Sequence, residues 1–476
     1  MSFKTAALST PTGFTENGAL THTSSGSALL DFFSKSGAAR NMPDRDLVSL
    51  FLAAMTEDSR LAMQTLAWLR DARGGAGERK AFRVILTYLA NTTSLAHKHL
   101  VETLISHTPE YGRYDDLLCL LGTPLEGRAI ATLLDGFQNP EKYKLAAKWM
   151  PRKGPVAAKL AGIFKMTPRE WRKFLVQRSD TVEQLMCANK WSEVDYEKVP
   201  SVATARYKNA FGRHDVSAYK EWIEKVERGE AKINAGVVFP HDVLKALSYY
   251  YNYNYNTDVN KSVINAQWNA LPNLLGDEFI LPMVDVSGSM DTPVSGTTTA
   301  MDVAVGLGLY LAMKQTGAFS GLFLTFSGNP EFVEVSSPNV VDNYPKMVRS
   351  DWGMSTNIES AFNAVLQAAV RNHVPSSQMP RKLLIISDME FDMCTSGTNY
   401  ENARAMFEVN GYELPQVIFW NVNARQVKNS PVKIHDTGTA LVSGYSPSIL
   451  RGVLSDNISP TSVFLDTVDI PRYRIF

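Results

Sequence analysis

Asp285-Val-Ser-Gly-Ser289 follows directly on the apolar run Phe279 to Val284. It offers one carboxylate and two hydroxyl oxygens at alternate positions, hard donors suited to Mg²⁺ first, with Mn²⁺ or Ca²⁺ as alternatives, rather than to Zn²⁺. Two further oxygens stand in comparable places: Thr356, in Gly353-Met-Ser-Thr356 ahead of a helical stretch, and Asp388, which follows the apolar run Leu383 to Ile386 as Ser387-Asp388. Three loops with such residues can converge on one divalent ion. Hydrolysis would need more, because no His or Lys stands near these loops in sequence as a general base. Glu390 and Asp392 are the nearest acid–base or second-ion candidates, and they read better as a solvated acidic loop.

For these oxygens to meet, the segments before them must lie side by side. From about Asp277 onward, residues 279–284, 322–326, 383–386, 416–420 and 440–442 read as strands, and 299–313, 357–370, 401–407 and 448–454 as helices. That alternation predicts an α/β, doubly wound, mostly parallel sheet with helices on both faces, in which ligands bind beyond the carboxyl ends of the strands. The three loops resemble the metal-ion-dependent adhesion site of von Willebrand factor A domains, a Rossmann-like family with an Asp-x-Ser-x-Ser loop, a Thr loop and an Asp loop. The resemblance implies Asp285, Ser287, Ser289 and Thr356 as metal ligands, with Asp388 direct or through a water. It also implies one coordination position left for an acidic group of a protein partner. Gly-Met-Ser-Thr stands where that family commonly has two glycines.

Residues 27–270 have another period. Leu47, Leu50, Phe51 and Ala54, then Phe82, Ile85, Leu86 and Leu89, recur at helical spacing, with breakers between the runs at Gly74-Gly-Ala-Gly77, Pro124, Pro151, Gly154-Pro155 and Pro168. Short helices joined by tight turns predict an all-α, HEAT-like helical-repeat module. Tyr249 to Asn256, a Tyr/Asn run, reads as a helix end and connector to an A-type domain over 271–476. Residues 1–26, polar and rich in Thr, Ser and Gly, read as a flexible segment.

With 476 residues, 45% of them apolar, the chain is too long for one hydrophobic core and too apolar to be mainly disordered. Three cysteines exclude a disulfide scaffold and a Cys-rich zinc module. No apolar stretch of about 18 residues offers a membrane span. The expected setting is therefore cytoplasmic, in a host cytoplasm or virion if the protein is viral. The 48 Lys and Arg cancel 48 Asp and Glu, yet residues 277–476 hold 13 basic against 20 acidic groups and residues 1–276 hold 35 against 28. The excess is concentrated in residues 141–180, with eleven basic residues against three acidic. There Lys148, Arg152, Lys153, Arg169, Arg172 and Lys173 interleave with Trp149, Phe164, Trp171 and Phe174, the mixture that phosphate contact plus base stacking requires, although aromatics at this spacing are more often core. Between Arg70 and Arg79 a glycine-rich turn with Arg73 and Arg79 at its lips could present N–H groups and positive charge to phosphate. It is not a P-loop, since Lys-Ser/Thr and a preceding strand are missing.

Arg70-Asp-Ala-Arg-Gly-Gly-Ala-Gly-Glu-Arg79 and Lys148-Trp-Met-Pro-Arg-Lys-Gly154, ahead of an A-type half, resemble the TROVE module of Ro ribonucleoproteins and telomerase-associated proteins. The nearer likeness is to uncharacterised relatives in phages, large DNA viruses and plants. Their pattern is echoed in Trp191 to Ser201, in Lys232-Ile-Asn-Ala235 with Phe239-Pro-His241, and in Phe419-Trp-Asn-Val-Asn-Ala424. The resemblance implies helical repeats that close into a ring with the A domain, a basic surface for small structured RNA and a hole for single-stranded RNA ends. The expected function is a non-catalytic RNA-binding protein with a divalent-metal A domain, and Arg73, Arg79, Lys148, Arg152, Lys153, Arg169, Arg172 and Lys173 are its RNA-contacting candidates. The alternative is a metal-dependent interaction adaptor or viral scaffold without RNA. The oligomeric state stays open.

Overall fold

In the computed structural model the described residues are 12–92, 97–248, 258–275, 278–326, 329–349, 356–393, 398–455 and 458–476. Among them the strands are β1 (Thr12–Phe14), β2 (Leu20–His22), β3 (Ile280–Asp285), β4 (Pro293–Ser295), β5 (Thr298–Thr299), β6 (Leu322–Phe326), β7 (Phe332–Glu334), β8 (Lys382–Ser387), β9 (Gln416–Asn421) and β10 (Thr439–Ser443). The main sheet has the order β10-β9-β8-β3-β6-β7, parallel throughout except for β7, which runs antiparallel to β6 at one edge. β3, β8 and β10 are buried along their whole length, which is why they read as unbroken apolar runs rather than alternating ones. β3 leads to β6 on one side while β8 leads to β9 on the other. The loops leaving the carboxyl ends of these two central neighbours therefore diverge, and a crevice opens between them.

Helix Ala300–Lys314 is buried on almost every side because it lies between this sheet and helix Pro240–Ser248. Two glycines allow that fit. A Cβ on Gly308 would stand 2.5 Å from Val284 Cγ2, and one on Gly306 would stand 2.8 Å from the backbone nitrogen of His241.

Between Ala28 and Asn269 the described residues form α- and 3-10 helices without a strand, as the helical period predicts. Helix Pro168–Ser179 shows how the sequence builds them. Thr167 caps it in a reciprocal box with Glu170, Pro168 supplies a preset first residue, and Trp171 and Leu175 turn inward. Both ends of the helical row dock on the sheet-bearing half. At the start, helix Ala28–Ser36 lies against β10, where the Ser443 hydroxyl donates to Phe33 O and receives Gly37 N, each at 3.0 Å. At the end, helix Asp258–Asn269 meets helix Val340–Arg349, with Val341 N donating to Asn265 Oδ1 at 3.2 Å. The C-terminal tail returns as well, Tyr473 donating its hydroxyl to Asp71 at 2.9 Å. Against the expectation from length, one apolar core runs from Ala19 to Tyr473 through both halves, because the helical row docks on the sheet-bearing half; Tyr196, Phe211, Tyr219, Trp222 and Val263 belong to a separate small cluster. The Tyr249 to Asn256 run lies outside the described residues.

The expectation of a flexible N-terminal segment does not hold for residues 12–26. β1 pairs with β2, Thr12 opposite His22 and Phe14 opposite Leu20, and His22 exchanges backbone hydrogen bonds with Ser430 at 3.1 and 2.9 Å. Strands of three residues leave no periodicity to read. Their order comes from partners some 400 positions away in the chain. No helix among the described residues is long and apolar enough to cross a membrane.

Candidate metal centre and basic face

Asp285 is the last residue of β3 and Ser387 the last of β8, so pairing of these strands brings the first and third loops together. Ser387 Oγ donates to Asp285 Oδ2 at 2.6 Å and Ser287 N donates to Oδ1 at 2.9 Å. The Ser287 and Ser289 hydroxyls lie 3.1 Å apart, and Ser289 also hydrogen-bonds with Asp388. Thr356 O accepts Asp392 N at 3.0 Å, which ties the second loop to the third. Asp285, Ser287, Ser289 and Asp388 thus gather at one end of the sheet, with Thr356 tied to the loop that carries Asp388. Met354 and Ser355, where the loop departs from the glycine pattern, lie outside the described residues.

The residues fit a divalent ion on two counts. An octahedral Mg²⁺ with bonds near 2.1 Å places adjacent oxygens about 3 Å apart, close to the Ser287–Ser289 separation. Asp285 is fully buried and Asp388 nearly so. Burial, and then the charge of Asp388, push the Asp285 carboxyl up to about 7, and burial also raises Asp388 against the pull of Arg425. Two carboxylates buried together are what a divalent cation relieves. No cluster of three or more His, Cys, Asp or Glu poised for a metal occurs among the described residues, as expected when hydroxyls supply most of the oxygens. The backbone at Met389 is left-handed (φ +66°), pinned by its N–H on Ser387 Oγ and by Asn429 Nδ2 on its carbonyl, both at 3.0 Å.

Two groups here escaped the sequence reading. Arg425 donates to Asp388 Oδ2 at 2.9 Å. Its only signal in the chain is a position just past β9, at the same sheet edge. Glu390, expected in a solvated acidic loop, is instead buried, and its carboxylate accepts Glu16 N at 2.7 Å and Asn429 Nδ2 at 3.2 Å. Burial pushes its carboxyl up to about 7.

The basic residues divide. Arg169, Arg172 and Lys173 are exposed at helical spacings of three and four on helix Pro168–Ser179, hence on one face. Arg152 donates to Ser179 at the far end of that helix, about 15 Å from Arg169 by the helical rise. Lys153 is exposed beside Arg152, and Lys148 lies 5.2 Å from the centre of the exposed Trp149 ring. Arg113, which the sequence reading did not single out, covers that ring at 3.9 Å. Arg79 joins this group: partial burial and the neighbouring charges of Arg113 and Arg83 lower its pKa. Trp171, Phe164 and Phe174, by contrast, stack on one another with Phe137 against their edges, so they are core and not a platform for bases.

Four amides of the glycine-rich turn are taken by its own chain rather than left for phosphate: Arg73 N on Asp71 Oδ1, Gly75 N on Asp71 O, Ala76 N on Trp68 O and Glu78 N on Leu69 O. Its side chains fasten neighbouring elements: Arg70 to Asp116, Asp71 to Arg472, and Glu78 to Arg40. Arg73 caps a helix end through Glu110 O at 2.7 Å, apart from the other basic candidates.

Residues 15–153 and 128–278 match the family described as Domain of unknown function (DUF2828), and residues 280–464 match Domain of unknown function (DUF7788). The two matches meet just ahead of β3, where helices give way to the sheet. The uncharacterized protein L728 of Acanthamoeba polyphaga mimivirus is 29% identical over 515 residues, covering 96% of this chain and 87% of that protein. The crystal structure of the Deinococcus radiodurans Ro (RSR) protein is similar over 89% of this chain and 93% of that one, with a TM-score of 0.48 and 13% identity. The first match covers more than half of the sequence, and the chain belongs to the family described as Domain of unknown function (DUF2828).

Proposed function

We propose that this chain is a non-catalytic RNA-binding protein whose A-type half holds a divalent ion, Mg²⁺ before Mn²⁺ or Ca²⁺, through Asp285, Ser287, Ser289, Thr356 and Asp388. One observation carries the RNA reading. Lys148, Arg152, Lys153, Arg169, Arg172 and Lys173 have no carboxylate partner among the described residues, whereas Lys142, Lys144 and Lys159 of the same stretch do. Uncompensated cations along one surface suit a polyanion, since each phosphate neutralised releases counterions. The exposed Trp149 with Arg113 over its ring adds a stacking surface that favours unpaired bases. Binding is favoured over catalysis because the groups that hydrogen-bond to Asp285 and Asp388 are hydroxyls, backbone amides and a guanidinium, and the nearby Glu390 carboxylate is taken up by Glu16 N and Asn429 Nδ2.

The test is RNA binding by fluorescence anisotropy, with a hairpin and an unstructured strand, across a salt series. For single strands, log K should fall by about 0.7 per phosphate contact for each tenfold rise in salt. A variant carrying Arg152→Glu, Arg169→Glu, Arg172→Glu and Lys173→Glu should flatten that slope by about 3 and bind at least tenfold more weakly at low salt. Salt-insensitive binding, no binding at low salt, or an unchanged variant would overturn the reading.

A further inference from the structure

The turn between β1 and β2 lies across the metal centre. Thr15 Oγ1 donates to Phe391 O at 2.7 Å and Glu16 N to Glu390 Oε2 at 2.7 Å. Asn17 Nδ2 donates to Glu390 O at 2.6 Å and reaches Thr356 Oγ1 at 3.4 Å, and Gly18 forms a backbone bridge with Asp392. The turn therefore touches two of the three ligand loops. The Glu16 carboxylate stands 3.1 Å from Arg425, the same guanidinium that holds Asp388, and its charge acts on Asp388.

Apolar burial holds Ala19 but does not account for the placement of the turn ahead of it. The Glu16 side chain is 44% exposed, and Phe14 at the end of β1 is 67% exposed. A two-stranded hairpin is marginal in water by itself; β2 is anchored by His22 and Thr21 on Ser430, and the turn ahead of it is the end whose position depends on what it meets. Without an ion, Asp285, Asp388 and Glu390 crowd three acidic groups around the single guanidinium of Arg425, and another acidic group beside them is opposed. A divalent ion offsets that excess and lifts the opposition to such a group.

We propose that the acidic group taken by this metal centre is the chain's own Glu16. A bound divalent ion clamps the N-terminal hairpin over the carboxyl edge of the sheet, and an acidic group from another protein reaches the ion only by lifting the hairpin. The proposal rests on the reading of Asp285 to Asp388 as a divalent-ion site and specifies what that site holds.

Amide hydrogen exchange at residues 12–26 of the full chain, in EDTA and in saturating Mg²⁺, tests the clamp, with ion binding followed separately by titration calorimetry and by Mn²⁺ paramagnetic resonance. At saturating ion, exchange in the hairpin should slow by the factor by which the clamped state binds the ion more tightly than the lifted one, about 5- to 150-fold. Glu16→Gln should remove that slowing and still bind the ion, whereas Asp285→Asn should lose both. If Mg²⁺ binds and hairpin exchange is unchanged, or if Glu16→Gln is slowed as much as the parent chain, the clamp is wrong and the ion site stands. If neither Mg²⁺ nor Mn²⁺ binds, the ion site and the clamp are both overturned.

Discussion

The two charged regions of this protein spend their charge in opposite directions. At the candidate metal centre Asp285, Asp388 and Glu390 are turned inward, almost without solvent contact, and each accepts at least two hydrogen bonds. On the basic face Arg169, Arg172 and Lys173 are turned outward, and no carboxylate answers them among the described residues. An inward charge must be matched atom by atom, because an unpaired buried charge costs several kcal/mol, while an outward charge is solvated wherever it stands. Single substitutions should consequently act strongly at the first region, and only combinations should act on the electrostatics of the second.

The largest single effect expected lies beneath the basic face. Trp171 is buried between Phe164 and Phe174 and donates its indole N–H to Pro151 O at 3.0 Å. Trp171→Ala should cost about 3–5 kcal/mol in denaturant unfolding. A loss under 1 kcal/mol would mean that these rings are an exposed platform after all, and the division between scaffold and surface would break. Next comes Asp285→Asn. The substitution removes one of two like buried charges and one acceptor of the Ser387 hydroxyl, so stability in EDTA should change by no more than about 1 kcal/mol. Affinity for Mg²⁺ should fall at least 100-fold, about 2.7 kcal/mol, as read by calorimetry. Equal affinity in the variant would remove Asp285 from the ligand set.

Gly306→Val examines whether the two regions share one folded unit. Its Cβ would meet the backbone of His241 at 2.8–3.0 Å, and a helix backbone cannot step aside as a side chain can. A cost of about 1–3 kcal/mol is expected. With one core through both halves, fluorescence and far-ultraviolet dichroism should shift together. A shift in one transition alone would show that the halves unfold separately.

How much of this was legible in the chain follows from the same division. β3, β6, β8, β9 and β10 were readable because a strand buried on both faces is an uninterrupted apolar run, and the grouping of Asp285, Ser287 and Ser289 because spacing inside a loop is local information. β7 was not readable, being three residues at an exposed edge, and helix Val340–Arg349 carries Pro345 inside it. Arg425 and the Glu16 turn reach the centre only through tertiary folding, across 37 and some 370 residues, where no pattern in the sequence points to them. The glycine-rich turn is the opposite case. Its composition is that of an anion cradle, but whether an amide faces a ligand or its own chain is decided by the backbone path, and here Trp68, Leu69 and Asp71 take the donors.

The smallest effect expected on folding is the sharpest test of the outward region. Trp149 is 38% exposed, and its ring is met by Arg113 and Lys148 rather than by core residues. Trp149→Ala should therefore leave stability within about 0.5 kcal/mol. If bases stack there, it should weaken binding of unstructured RNA by about 1–3 kcal/mol, and Trp149→Phe should restore most of the loss because the π-face is what a base meets. A phosphate contact behaves otherwise: it changes the salt slope, which an aromatic substitution should leave alone. Loss of affinity with the slope intact assigns Trp149 to base stacking. Loss of both would mean that the substitution released Arg113 and disturbed the cations beside it, and the face would then act on RNA through charge alone.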